Sequence, residues 1–355
     1  MNKQSITLFS ILILSTQLFG AKINDQLSVG GTYLGIANSI QEHSTQFDFA
    51  TNIDIEYTLS NEFSGIVQLQ TGSGEGSLGF QGPNAALTDV ALVYAPKNKD
   101  LTITFGSFDT PFGYQTNHLT NNADTFNNTF ILNPLHYNIL AGPVGTLNTL
   151  GIKAQKQWGD IETVVSVSNG TSETSENKNK TFESLAQVSH HNVIKNLGIT
   201  GTIMHSNDQN DTGESSFNTN LTAGLVEARY TLTPTHTISA SYGQLTFDDN
   251  DNSTKDKVST YSLNYTHTQT TWFAGLGISQ WSPEDNNGNS TGMSQDLNSP
   301  GLSTTTVTDQ CLTRTQISLG YFIESNILAK AEVFQDNYKY TDNLTGAIAG
   351  INVRF

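Results

Sequence analysis

A single cysteine, Cys311, stands in the 355 residues, so no disulfide can close within the chain. Basic charge is scarce: 16 Lys and Arg face 32 Asp and Glu, for a formal charge of -16. That balance argues against a nucleic-acid partner. Charged residues of all kinds reach only 14%, too few for a charge-rich disordered chain. Past the N-terminal twenty residues no apolar run approaches the roughly 20 residues that a membrane helix needs. If the chain crosses a bilayer, it must do so as a closed barrel of strands. No long stretch carries a helical period. Eight histidines offer one close pair along the chain, His190-His191, and adjacent strand residues point to opposite faces, so these two cannot grip one ion. No serine sits in a nucleophile motif. The acidic run Asp248 to Asp251 lacks the spacing of a twelve-residue calcium loop and reads as a solvated loop. The reading is therefore not an enzyme, with no catalytic, cofactor or metal residues expected.

What fills the chain instead is Thr, Ser, Asn, Gln and Gly, at a mean hydropathy of -0.31. Such a composition suits strands with one face on lipid and the other on water. Alternation is the dominant pattern. Phe47, Phe49, Ile53, Ile55 and Tyr57 interleave with Asp48, Ala50, Asn52, Asp54 and Glu56, and Ile317, Leu319, Tyr321 and Ile323 interleave with Gln316, Ser318 and Gly320. Sixteen such segments are expected, near 25–37, 45–58, 63–72, 86–96, 100–108, 147–158, 160–169, 182–193, 197–206, 219–232, 235–247, 256–268, 271–282, 309–323, 325–338 and 344–355. Each is close to the 9–11 residues that a tilted strand needs to cross a bilayer, and the count is even. The connections alternate between short, as at Gly159 and Thr233-Pro234, and long, as at 73–85, 109–146 and 283–308. The fold expected is all-β, a transmembrane antiparallel β-barrel of about 16 strands. Tyr57, Tyr94, Trp158, Tyr230, Trp272 and Trp281 are expected in its interfacial girdles.

The two ends agree. Lys3, the apolar stretch 8–14 and Leu18-Phe19-Gly20-Ala21 have the layout of a secretory signal peptide over 1–21. The remaining 22–355 form the barrel, with 15 basic and 32 acidic residues once Lys3 is removed. At the C-terminus Ile351, Val353 and Phe355 alternate with Asn352 and Arg354. This ending resembles the last strand of bacterial outer-membrane β-barrels, where a terminal Phe is part of the assembly signal. The resemblance implies a Gram-negative outer membrane, contact with its lipid and lipopolysaccharide, and the barrel assembly machinery as a partner.

A sixteen-stranded barrel leaves an aqueous channel, whereas eight strands pack their own interior. In the register read from alternation the inward residues are largely hydrophilic or small: Asp48, Asn52, Asp54, Glu56, Gln68, Gln70, Lys153, Gln155, Glu227, Arg229, Asn264, Arg314, Gln316, Lys330, Glu332, Asn352 and Arg354. The connection 109–146 is the third long one. It carries the apolar cluster Phe130-Ile131-Leu132, which an exposed loop rarely needs. In general diffusion porins the third external loop folds into the barrel and narrows it, and this chain resembles that plan; the alternative is a loop that covers the barrel mouth or makes an oligomer contact. The segment Phe105-Gly106-Ser107-Phe108-Asp109-Thr110-Pro111-Phe112-Gly113 resembles a strand-and-turn motif of the phosphate-selective porin family. In that family a basic residue often stands where this chain has Asp109, and anion preference rests on many basic lumen residues. The expectation here is neutral or mildly cation-preferring permeation of small hydrophilic solutes. The selectivity residues expected are Asp109, His118 and Asp124 in the loop, facing Asp54, Glu56, Lys153, Arg229 and Arg314 on the wall. A homotrimer is what the resemblance implies. The competing reading is a non-conducting barrel that serves as adhesin or receptor through its loops.

Overall fold

The computed structural model describes residues 21–22, 25–40, 46–72, 86–97, 100–113, 129–131, 135, 148–169, 182–211, 216–249, 254–284, 311–339 and 342–355. A two-residue strand, β1 (Ala21–Lys22), precedes sixteen long ones. These are β2 (Leu27–Ile40), β3 (Gln46–Thr58), β4 (Phe63–Gly72), β5 (Ala86–Tyr94), β6 (Leu101–Asp109), β7 (Asn148–Trp158), β8 (Ile161–Ser168) and β9 (Glu183–Ile194). The second half comprises β10 (Leu197–Asp211), β11 (Ser216–Thr233), β12 (His236–Asp249), β13 (Thr254–Thr268), β14 (Trp272–Pro283), β15 (Leu312–Glu324), β16 (Ile327–Tyr338) and β17 (Leu344–Arg354). Each long strand pairs antiparallel with the next along the chain, and β17 returns to β2, so the sheet closes into a barrel. All sixteen expected segments are strands, because closure gives each strand a partner on both sides while the period-two pattern sorts the two faces.

Seven short links join the strands at one rim: 59–62, 95–100, 159–160, 195–196, 234–235, 269–271 and 325–326. Two of the tightest place a residue at positive φ, Gly159 at 62° and Asn196 at 68°, as the small or amide residues of tight turns do. The long connections share the other rim. β10 and β11 run to 15 and 18 residues, so the connection between the expected segments 197–206 and 219–232 shrinks to 212–215. The polar pairs Asn207↔Asn220 and Asp208↔Thr219 continue the ladder, where a hydrogen-bonded hairpin satisfies the backbone as well as water does. β6 extends through Asp109, paired with Asn148, so the third long connection is 110–147.

Alternate residues are buried inside and exposed outside. On β8 the pattern puts Glu162, Val164, Ser166 and Ser168 inward and Val165 and Val167 outward. The outer face is an apolar belt, with Val165 at 53%, Ile203 at 57% and Leu319 at 55% exposed, an area that bare water would penalise. Tyr57, Tyr94, Trp158, Tyr230 and Trp272 face outward near the short-link rim. Trp281 does not join them. It lies nine residues from Trp272 on the same strand, so the two occupy opposite faces, and Trp281 points inward with 2% exposed.

The seam carries the chain terminus. Phe355 exchanges two backbone hydrogen bonds with Gly31, at 2.7 and 2.9 Å. A Cβ at Gly31 would stand 2.9 Å from the Phe355 ring, so glycine lets the aromatic lie flat against β2. Ile351 and Val353 take the outward positions of β17.

Candidate pore and its inner wall

Among the described residues the inward face combines polar side chains with apolar clusters, one over β9–β15 and another over β16, β17 and β2. Asn52, Gln68, Arg314, Gln316, Lys330, Glu332 and Asn352 are buried there. Asp54, Lys153, Gln155, Glu227, Asn264 and Arg354 are half-buried, while Glu56 and Arg229, close to the short-link rim, are exposed. Asp54 is fixed on the wall by its neighbours: its Oδ1 accepts from Gln68 Nε2 at 2.6 Å and from Asn52 Nδ2 at 3.1 Å. Lys153 Nζ lies 5.1 Å from the centre of the Phe108 ring. Asp109 is the last residue of β6, and the expected loop residues His118 and Asp124 lie outside the described residues. The side chains of Asp48 and Gln70 also lie outside them.

Arg314 differs from an exposed wall charge. Its Nε and Nη2 donate to both oxygens of Asp336 at 2.8 and 2.7 Å, with the two side chains 1% and 0% exposed. The fork geometry braces β15 to β16. Asp336 was not among the expected residues, because which residue faces Arg314 depends on inter-strand register rather than on either strand alone.

Over β9–β15 the inward face departs from the expected largely hydrophilic or small character. Leu185, Met204, Ala223, Leu245, Val258 and Pro283 follow one another as cross-strand neighbours from β9 to β14. Trp281, Leu312 and Tyr338 continue the row to β16. Together with Leu221 and Leu225 most of these residues form one buried cluster, and it includes Phe112 and Leu135 of the third long connection. An apolar stripe on an inner wall is costly against water, and here the loop covers it. The signal was present: Leu221-Thr222-Ala223-Gly224-Leu225-Val226 reads as a strand apolar on both faces.

The described residues of that connection touch two parts of the wall. Gln187 on β9 donates its amide to the carbonyls of Pro111 and Gly113, both at 3.0 Å. Gly113 N donates to Thr202 Oγ1 on β10 at 3.2 Å. Gly113 has φ +81°, and a Cβ there would meet Glu227 and Leu225 at 2.8 Å, so glycine both makes the turn and admits the close approach. Further along, Ile131 N donates to Glu332 Oε2 at 2.6 Å, Leu135 N to Ser279 Oγ at 3.1 Å, and Ser318 Oγ to the Thr129 carbonyl at 2.5 Å. Gly275 and Gly277 on β14 make room for Thr129 and the Phe130 ring. The connection leaves from β6 and returns to β7, and β14 stands eight strands from β6 in the sixteen-membered ring. The chain thus crosses the barrel to the opposite wall.

No family model and no curated protein matches the chain. Solved structures do. The outer-membrane protein OmpT of Vibrio cholerae superposes with a TM-score of 0.65 at 12% identity, over 94% of this chain and 99% of that one. The outer-membrane channel DcaP of Acinetobacter baumannii gives 0.61 at 14% identity, over 95% and 99%. The anion-selective porin of Comamonas acidovorans gives 0.66 at 10% identity, over 93% and 99%. Spanned almost end to end at such low identity, the likeness is one of architecture: this chain has the sixteen-stranded fold of the outer-membrane barrels.

Proposed function

We propose that the protein is an outer-membrane porin through which small hydrophilic solutes or ions diffuse passively, with no chemical step. The observation that carries this reading is the third long connection, which crosses the inside of a sixteen-stranded barrel and hydrogen-bonds to inward side chains of β9, β10 and β14–β16. A closed interior of eight strands would need no such insert, while a wide one acquires its working diameter from it. The loop, with Asp109, His118 and Asp124, is the constriction in this reading. Asp54, Glu56, Lys153 and Arg229 form the wetted wall, and Arg314 holds the wall rather than the solute.

The reading places the short links in the periplasm and the long connections outside the cell. Residues 1–21 act as the signal peptide, and Ile351, Val353 and Phe355 as the assembly signal recognised by the barrel assembly machinery. The apolar belt meets lipid and lipopolysaccharide. A homotrimer belongs to the same reading, supported by OmpT of Vibrio cholerae having been solved in a trimer form. The anion selectivity of the Comamonas porin is not carried over, because acidic residues outnumber basic ones two to one. Permeation is expected to be neutral or mildly cation-preferring.

One observation favours the second reading, a non-conducting adhesin or receptor. Arg314, Asp336, Ser318 and Thr260 are sealed from solvent on one side of the lumen. Conductance of the refolded barrel in a planar bilayer under a salt gradient separates the two. Stable steps with a modest cation preference support the porin. Strong chloride preference overturns the selectivity, and no steps from a folded barrel overturn the porin itself.

A further inference from the structure

Two histidines far apart in sequence meet on the outer surface near the short-link rim. His236 opens β12 and His267 lies near the end of β13, and they are cross-strand partners. His267 Nδ1 stands 3.2 Å from His236 Nε2 and equally far from its Nδ1. The remaining nitrogen of each ring has its own partner. His236 Nδ1 is 2.6 Å from Tyr265 Oη, and His267 Nε2 is 3.1 Å from the Gln269 side-chain amide. The Trp272 ring lies 4.9 Å from that of His267 and closes one side.

We propose that His236 and His267 form a two-imidazole chelate for a d-block divalent ion, copper(II) or nickel(II) ahead of zinc(II) in affinity. A metal held by imidazole nitrogens at about 2.0–2.1 Å sets them about 2.9 Å apart at a right angle and about 3.4 Å apart at the tetrahedral angle. The observed 3.2 Å falls within that bite. The ring centroids are 4.3 Å apart, and a small turn about the soft χ2 torsions brings both lone pairs onto one ion. Tyr265 and Gln269 then occupy the place that outer partners take at metal-bound histidines: each receives the N–H of the ring nitrogen that faces away from the metal, which fixes tautomer and orientation. The amide of Gln269 presents its oxygen by turning over, since its N and O ends occupy the same volume. Among the described residues no set of three or more His, Cys, Asp or Glu converges on a metal position, so water completes the coordination. The pair adjoins the turns 234–235 and 269–271, so an ion reaches it from the aqueous phase rather than through hydrocarbon. Imidazole donors select Cu, Ni and Zn over Mg or Ca.

The test is equilibrium dialysis of tag-free, refolded barrel against copper(II), with its electron paramagnetic resonance spectrum recorded. The wild type is expected to hold one more equivalent of copper than His236→Gln/His267→Gln, with nitrogen hyperfine splitting that the double variant lacks. The other six histidines are common to both proteins. Tyr265→Phe keeps both imidazoles and is expected to weaken binding about 10-fold or more; it serves alone if the double variant does not fold. Equal stoichiometry and identical spectra in wild type and double variant overturn the proposal and leave the pair as an imidazole–imidazole hydrogen bond. An unchanged affinity in Tyr265→Phe overturns the role given to Tyr265 and, where the double variant does not fold, the proposal with it. Channel conductance tests the porin reading separately and has no bearing on this outcome.

Discussion

Gly275→Val is expected to lower conductance on its own and to raise it when Glu332→Ala is added. Gly275 faces inward on β14, and a Cβ there would overlap Thr129 Cγ2 and stand 3.2 Å from the Phe130 ring. Carbon atoms rest at about 3.5–4.0 Å, so the loop must give. Overpacking of this kind costs about 1–3 kcal/mol. Holding the loop in place are the burial of Phe130 and Ile131, 6% and 5% exposed, at about 1.5–3 kcal/mol each. The hydrogen bond to the Glu332 carboxylate adds about 1.5–3 kcal/mol, and that with Ser318 about 0.5–1.5. Ordering residues 129–131 takes back about 1–2 kcal/mol per residue. A few kcal/mol remain in favour of the seated loop, more than one valine removes, so the single variant adds bulk beside a loop that stays. Without the Glu332 carboxylate the strongest individual hydrogen bond is gone and the two positions become nearly balanced. Single-channel recordings should then show the double variant switching to a larger level that wild type lacks. Conductance of the double variant at or below that of Gly275→Val would refute both the geometry and the ledger.

Asp336→Ala removes the carboxylate that both Nε and Nη2 of the buried Arg314 donate to and is expected to destabilise the barrel by about 3–5 kcal/mol in urea titrations, while Arg314→Met/Asp336→Leu recovers most of that loss. Val165→Arg, at the middle of the outer face of β8, should cost about 2–4 kcal/mol of folding stability in lipid vesicles; a cost below about 0.5 kcal/mol would mean that this face does not meet lipid. Removal of Phe355 deletes both hydrogen bonds to Gly31 and is expected to lower the folded fraction, read from the heat-modifiable mobility shift, without changing the conductance of barrels that do fold. Asp54→Asn/Glu56→Gln should move the reversal potential toward anions, and an unmoved potential would take these two carboxylates off the ion path.

The strands were legible because a period of two is written in each strand separately: Phe47 to Leu59 needs no partner to declare its faces. The inward assignments of Asn52, Asp54, Arg314 and Glu332 follow from the same parity. What parity cannot provide is contact between strands. The Arg314–Asp336 brace and the His236–His267 pair join residues 22 and 31 positions apart, and each exists only in one inter-strand register. Trp281 was misread from its nearness to a strand end, although its odd spacing from Trp272 already put the two on opposite faces. The apolar run Phe130-Ile131-Leu132 pointed to a packed loop, but Ile131 packs on residues of β2, β16 and β17, and the wall that receives Phe112 and Leu135 is assembled from residues on seven strands.

That wall has a consequence for assembly. Alternation tells a strand which side is lumen only when its two faces differ, and over 221–226 on β11 both are apolar or small. A slip of one residue there would exchange like for like and meet little opposition from either lipid or interior. The glycine at 113, close to Leu225 and Glu227, and the Phe112 and Leu135 side chains in the buried cluster would discriminate where the strand cannot. The third connection would in this sense check the alignment of the sector on which it packs.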